Sequence, residues 1–125
     1  MNEDLRELLE SANEDLEAAK ILFDKSLFKL STFHCQQSVE KYLKAYLLYK
    51  TGFYPFIHSI SNLLEKCMKV DKDFEYLKNI GIHILEEYYI RTRYPIIKNI
   101  TEEDAKEAIE IAEKVKEFIL NKLNI

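Results

Sequence analysis

Apolar residues along this chain recur mostly at spacings of three and four, the mark of helices that bury one stripe. Leu5, Leu8, Leu9, Ala12, Leu16, Ala19, Leu22 and Phe23 keep that rhythm and predict a first helix over about residues 2–24. Acids in its first turn suit the positive end of the helix dipole. A short joint over residues 26–30 leads to a second helix, predicted from about Ser31 to Lys50. Cys35, Val39, Tyr42, Leu43 and Tyr46 share one face of it, and Gln37, Glu40, Lys41 and Lys44 the other. Thr51, Gly52 and Pro55 stop it. A shorter third helix follows His58, with Ile60, Leu63, Leu64 and Cys67 inward and either Ser59 or Ser61 as its cap. A fourth segment starts at Asp71 or Asp73 and runs to about Tyr94. Gly81 marks a break or kink within it, and Pro95 ends it. Thr101 caps the last helix, with Asp104 three residues on in a capping box. Its buried stripe reads Ala105, Ala108, Ile109, Ala112, Val115, Ile119 and Leu123.

Short loops between amphipathic helices make neighbours antiparallel. The expected fold is therefore all-α, an up-and-down bundle of four to five helices in a single domain over residues 1–125. With only 2 Gly and 2 Pro, the chain lacks the turn residues that a sandwich or barrel needs. Its 2 cysteines exclude a disulfide framework and a four-cysteine zinc site, and both read as small core residues. The first fifteen residues are too acidic for a signal peptide, and no apolar run reaches membrane-spanning length. A cytoplasmic protein is expected. Tyr42, Tyr46, Tyr49, Phe53, Tyr54 and Phe56 crowd the end of the second helix, and some of that surface is expected to close a homodimer.

The net charge of −4 is unevenly spread: residues 1–24 carry 8 acids against 2 bases, whereas residues 25–50 carry 5 lysines against one glutamate. A dedicated duplex-DNA binder would be more basic, but a local cationic strip suits a phosphate. Two places qualify. Gln37, Glu40, Lys41 and Lys44 lie in line on the second helix. They are either an anion site or a solvated face with a Glu40–Lys44 pair. Arg91 and Arg93 close the fourth segment. They either satisfy the last carbonyls or form a fork for phosphate, with Tyr94 or Tyr89 as a base platform. No cofactor or metal is implied: two glycines cannot build a phosphate loop, and His34 and Cys35, adjacent on a helix, point about 100° apart.

These same segments carry a family resemblance. Gln36-Gln37-Ser38-Val39-Glu40-Lys41-Tyr42-Leu43-Lys44-Ala45 resembles the second-helix signature of HEPN domains, named for nucleotide binding in higher eukaryotes and prokaryotes. His58-Ser59-Ile60 followed by Leu63 and Leu64, and Tyr89-Ile90-Arg91-Thr92-Arg93-Tyr94-Pro95, resemble later parts of the same domain. The resemblance implies a dimerising helical bundle. It also implies a partner, a minimal nucleotidyltransferase, in a toxin–antitoxin or defence pair. Many HEPN proteins are metal-independent RNases with an arginine, four to six residues and then a histidine. From Arg6, Arg91 and Arg93 those positions hold no histidine, so no catalytic residue is carried over. The resemblance then points to a non-catalytic protein that binds a nucleotide or nucleic-acid phosphate through Gln37, Lys41, Lys44, Arg91, Arg93 and Tyr94, with His58 and Glu40 near the cleft. A divergent RNase drawing on His34 or His58, and a pure protein-interaction module, are the alternatives.

Overall fold

The computed structural model describes residues 1–94 and 99–125. These residues hold six α-helices: α1 (Glu3–Asp24), α2 (Phe28–Thr51), α3 (Ile60–Val70), α4 (Glu75–Asn79), α5 (Ile84–Arg93) and α6 (Glu102–Lys122). A 3-10 turn, Lys72–Phe74, precedes α4, and no strand occurs among the described residues. The predicted stop at Pro95 lies outside them.

The second helix starts earlier than its sequence suggests, at Phe28, so the expected joint over residues 26–30 shrinks to residues 25–27. Ser26 takes a left-handed conformation (φ 61°). This lets the Ser26 N–H reach the carbonyl of Phe23 and the Leu27 N–H that of Leu22, which closes α1 as a Schellman motif. Nothing in composition marks Ser26 for that position, which glycine usually fills. Gly52, also left-handed (φ 79°), ends α2. Gly81 (φ 88°) divides the fourth segment, so the single element expected there becomes the 3-10 turn, α4 and α5.

Helix α2 is the axis of the molecule and packs against α1, α3, α5 and α6. Its predicted apolar face is core: Cys35, Val39, Tyr42, Leu43 and Tyr46 are all buried. Small residues set the α1–α2 interface. Ser31 donates from its hydroxyl to the Ala19 carbonyl and Ser38 to that of Ala12, both at 2.7 Å. The two hydroxyls lie seven residues apart, as do the two carbonyls in reverse order, so the helices run antiparallel and in register. Each bond contributes about 1 kcal/mol and satisfies a hydroxyl that water cannot reach. On the opposite side, Tyr46, Phe74 and Phe118 join α2, the 3-10 turn and α6, with ring centroids 4.4 and 4.9 Å apart. Both cysteines are buried, and burial pushes their thiols up to about 12, Glu113 adding to the effect at Cys35. They pack as small apolar residues.

Thr101 and Asp104 form the predicted capping box. Along α6, Ala105, Ala108, Ala112, Val115 and Ile119 are buried as expected. Ile111 joins them, and Ile109 is only partly buried. Ser59 caps α3. The start of α3 is also held by Glu86, which accepts from the Ser61 N–H and from the Ser59 and Ser61 hydroxyls, each at 2.7 Å. Burial alone would raise the Glu86 carboxyl, but these donors and the nearby His83 outweigh it and hold it below its ordinary 4.5. A carboxyl lowered in the folded state stabilises fully above its ordinary value and loses that stabilisation as pH falls through the lowered one. Glu86→Gln is therefore expected to cost about 1 kcal/mol at neutral pH, after allowance for partial exposure. Urea unfolding should show the gap to the parent protein narrowing in acid, as pH falls below the carboxyl's ordinary 4.5 and through its lowered value. An equal gap at both pH values would mean that Glu86 acts by packing alone.

Candidate functional site

Between α1 on one side and α5 on the other, α2 keeps a partly open strip that includes Phe33, His34, Gln37 and Lys41. The polar stripe expected there is not a solvated face. Glu40 and Lys44 are buried, and Gln37 and Lys41 are half-buried.

Each charge on the stripe has its own partner. Lys41 donates through Nζ to Asp15 Oδ2 at 2.6 Å and to Ser11 Oγ at 2.7 Å, both on α1. Asp15 Oδ1 in turn lies 2.9 Å from His34 Nδ1. Lys44 donates to Glu40 Oε2 at 2.9 Å, and His58 Nδ1 lies 2.9 Å from the same oxygen. The expected Glu40–Lys44 pair is present, but it lies in the interior, where removing either partner would cost about 3–5 kcal/mol. His58 does not cap α3; it precedes the cap and covers Glu40 while its own side chain stays 78% exposed. Gln37 donates its amide to Gln36 Oε1 at 2.7 Å. Lys41 and Lys44 are thus engaged by separate carboxylates and do not converge on one point.

Arg91 and Arg93 also part company, because residues two apart on a helix point to opposite sides. The Arg91 side chain is only 8% exposed. It donates through Nη2 to Asp104 Oδ2 and to the Asn99 carbonyl, each at 2.7 Å, and its Cζ lies 5.3 Å from the centre of the Tyr88 ring. Its Nε has no hydrogen-bond partner among the described residues. Burial would raise the Asp104 carboxyl, but the Thr101 N–H and hydroxyl, together with Arg91, hold it below its ordinary value. Arg91 therefore ties α5 to the capping box of α6, and the fork with Arg93 is not formed.

Arg93 is exposed and has no carboxylate partner among the described residues. Its Cζ sits 5.7 Å above the Tyr89 ring. Tyr89 stacks on Phe33 with centroids 6.1 Å apart and planes 25° from parallel, and Phe33 meets His34 edge-on at 5.4 Å. Guanidinium, two rings and an imidazole thus form one continuous row across α5 and α2. Tyr94 follows Arg93 as the exposed C-cap of α5. Two residues of this neighbourhood escape a reading of the sequence. Phe33 precedes Gln37, Glu40 and Lys44 at helical spacing, which is its visible signal. Asp15 shows itself only when α1 is laid antiparallel on α2.

The two arginines separate by experiment. Arg91→Ala should lower stability by about 2 kcal/mol, because it strips the buried link between α5 and α6. Arg93→Ala should change stability by no more than about 0.5 kcal/mol. Equal losses in urea unfolding would show that Arg93 also has a structural role.

The comparisons agree with this architecture. The HEPN domain model matches residues 5–123. A toxin candidate from Methanocaldococcus jannaschii is 34% identical over a gapped alignment of 126 positions that covers 89% of this chain and 82% of that protein. The crystal structure of a Thermus thermophilus protein superposes with a TM-score of 0.76 at 29% identity, covering 94% of this chain and 97% of the other. An archaeal HEPN homologue gives a TM-score of 0.68 at 25% identity, covering 94% and 96%. Helix order, the central α2 and a match spanning nearly every described element lead to one assignment: the chain belongs to the HEPN domain family.

Proposed function

We propose that this HEPN protein binds the phosphate of a nucleotide or of single-stranded RNA and pairs with a minimal nucleotidyltransferase in a two-component system of toxin–antitoxin or defence type. The observation that carries the binding half is the exposed Arg93 guanidinium over the Tyr89–Phe33 stack. A guanidinium holds phosphate oxygens in its planar fork, and an adjacent ring pair supports a base without regard to sequence, at about 1–3 kcal/mol per base. Gln37, Lys41 and Tyr94 lie within reach of the same strip as secondary contacts. Lys44 and Arg91 serve it from behind by fixing α2 and α5. The toxin description of the Methanocaldococcus jannaschii relative supports the system half. A homodimer belongs to this reading; of the aromatic cluster expected to close it, Tyr42 and Tyr46 are core residues, and we place it instead on Leu30, Ile90 and Tyr94, all exposed and within a turn of the strip. No helix among the described residues is long and apolar enough to cross a membrane.

The test is a thermal-shift and calorimetric titration with ATP, GTP and a short single-stranded RNA. A ligand stabilises only the state that it binds, so a saturable rise in melting temperature is expected. Arg93→Ala and Tyr89→Ala should each weaken binding about tenfold or more. Unchanged binding in both variants, or no shift with any ligand, removes the reading.

One observation favours a second reading, a divergent metal-independent RNase. His34 is held through Nδ1 by Asp15 and stands at the end of the row that begins with Arg93. A carboxylate-held imidazole keeps its other nitrogen for proton transfer. Cleavage of RNA by the purified protein, lost in both His34→Ala and Arg93→Ala, would establish it; intact RNA, or cleavage that survives His34→Ala, would end it.

A further inference from the structure

A second surface lies at the other end of α2, on the order of 20 Å from Phe33 at 1.5 Å of rise per residue. Here the last turns of α2, the loop over residues 52–59 and the end of α3 enclose an open groove of about 210 Å³. Leu47, Phe53, Pro55 and Val70 form its apolar walls, and Lys66 and Lys69 stand on its rim. Phe53 is 67% exposed, and Phe56 beyond it 91%.

The groove wall is built in advance. The single proton of the Thr51 hydroxyl is shared between the carbonyls of Leu47 and Phe53, which lie 2.7 and 2.8 Å from Oγ1, and the Phe53 N–H donates to the same oxygen at 3.3 Å. Gly52 makes the left-handed turn that brings Phe53 back over α2. Phe53 and Phe56 leave aromatic surface facing water beside an apolar slot, and exposed apolar surface that is contiguous is the kind that interaction sites use.

Charge says what that is. Lys66, Lys69 and, on the last turn of α2, Lys50 are exposed, and none has an ion-pair partner among the described residues. Glu65, the one acid of α3, pairs with none of them. A chain of net charge −4 thus keeps an unneutralised basic rim around an apolar slot. We propose that this groove docks an acidic amphipathic helical segment of a partner protein. One large apolar side chain of that segment enters between Leu47, Val70, Phe53 and Pro55, while its carboxylates meet Lys66 and Lys69. Those two lysines are three residues apart on one helix face, about 5–6 Å between Cβ atoms, which matches acids one turn apart on a partner helix. The concave, pre-formed slot suits a single side chain better than it suits a lipid surface. No residue of the α2–α5 strip takes part, so this inference stands or falls apart from phosphate binding.

The experiment titrates the full-length, isotope-labelled protein with a short helical peptide that carries a Leu/Phe stripe flanked by glutamates. Its counterpart has lysine for every glutamate, and vesicles of neutral and anionic phospholipid form the third arm. Saturable shifts at the Thr51, Phe53 and Val70 amides with the acidic peptide alone are expected. Lys66→Glu with Lys69→Glu should weaken that binding about tenfold or more and favour the basic counterpart instead. Both lysines are exposed, so an unchanged melting temperature verifies that the double variant folds. Equal binding of the two peptides, binding confined to the Arg93 strip, or no saturable binding overturns the proposal. Vesicle binding that depends on Phe53 and Phe56 without peptide binding overturns it in favour of a membrane contact.

Discussion

Everything in this fold depends on one constraint: α2 is enclosed on nearly all sides, yet it carries serines, glutamines, lysines and a glutamate. A buried polar group costs free energy when it lacks a partner, so these side chains dictate much of what lies opposite, the Thr32 hydroxyl being the one of α2 left without a partner among the described residues. Ser31 and Ser38 require carbonyls, and Ala12 and Ala19 bring the α1 backbone close enough to supply them. Lys41 requires an anion, which Asp15 provides. Glu40 requires cations and receives Lys44 from its own helix and His58 from the chain entering α3. Neighbouring segments are positioned by the polar demands of one helix, and the apolar contacts then fill the space between them.

The same economy explains why so few cations remain free around the candidate site. Lys41, Lys44 and Arg91 are all drawn into internal pairs with Asp15, Glu40 and Asp104. Their charge fixes geometry and adds little to the outward field. Arg93 differs because it is turned away from the side of α5 that meets α6, and because Tyr89 and Phe33 give it a support that does not neutralise it. An uncancelled guanidinium at a helix end beside stacked rings is where the surface has something to offer an anion.

Helix boundaries are legible in the sequence because they depend on near neighbours. Thr101 with Asp104 is a local motif, and it closes as its spacing says. Gly81 marks a left-handed turn that other residues adopt only at a cost, so the break falls there. The start of α2 departs from expectation because Ser26 takes that conformation with no residue type to announce it. Side-chain roles are less legible, for a different reason. A helical wheel tells which residues share a face but not what covers it. Gln37, Glu40, Lys41 and Lys44 share a face as expected, yet α1 and His58 cover it, which no spacing within α2 reveals. Arg91 and Arg93 look like a pair in one dimension and separate once the helix is wound. The family signature on α2 is readable without coordinates because its polar residues are the ones that other elements hold.

The three-residue joint at Ser26 has a consequence for how the molecule assembles. It links α1 to α2, whose interface is the most extensive in the bundle, and the cost of closing a loop that short is small. The largest contact surface is therefore also among the nearest in sequence, whereas α6 must return from the far end of the chain to reach α2. Topology of this kind favours rapid, nearly local nucleation: a helical hairpin zipped from Ser26 outward, with its serine–carbonyl bonds forming in sequence, onto which the later helices condense.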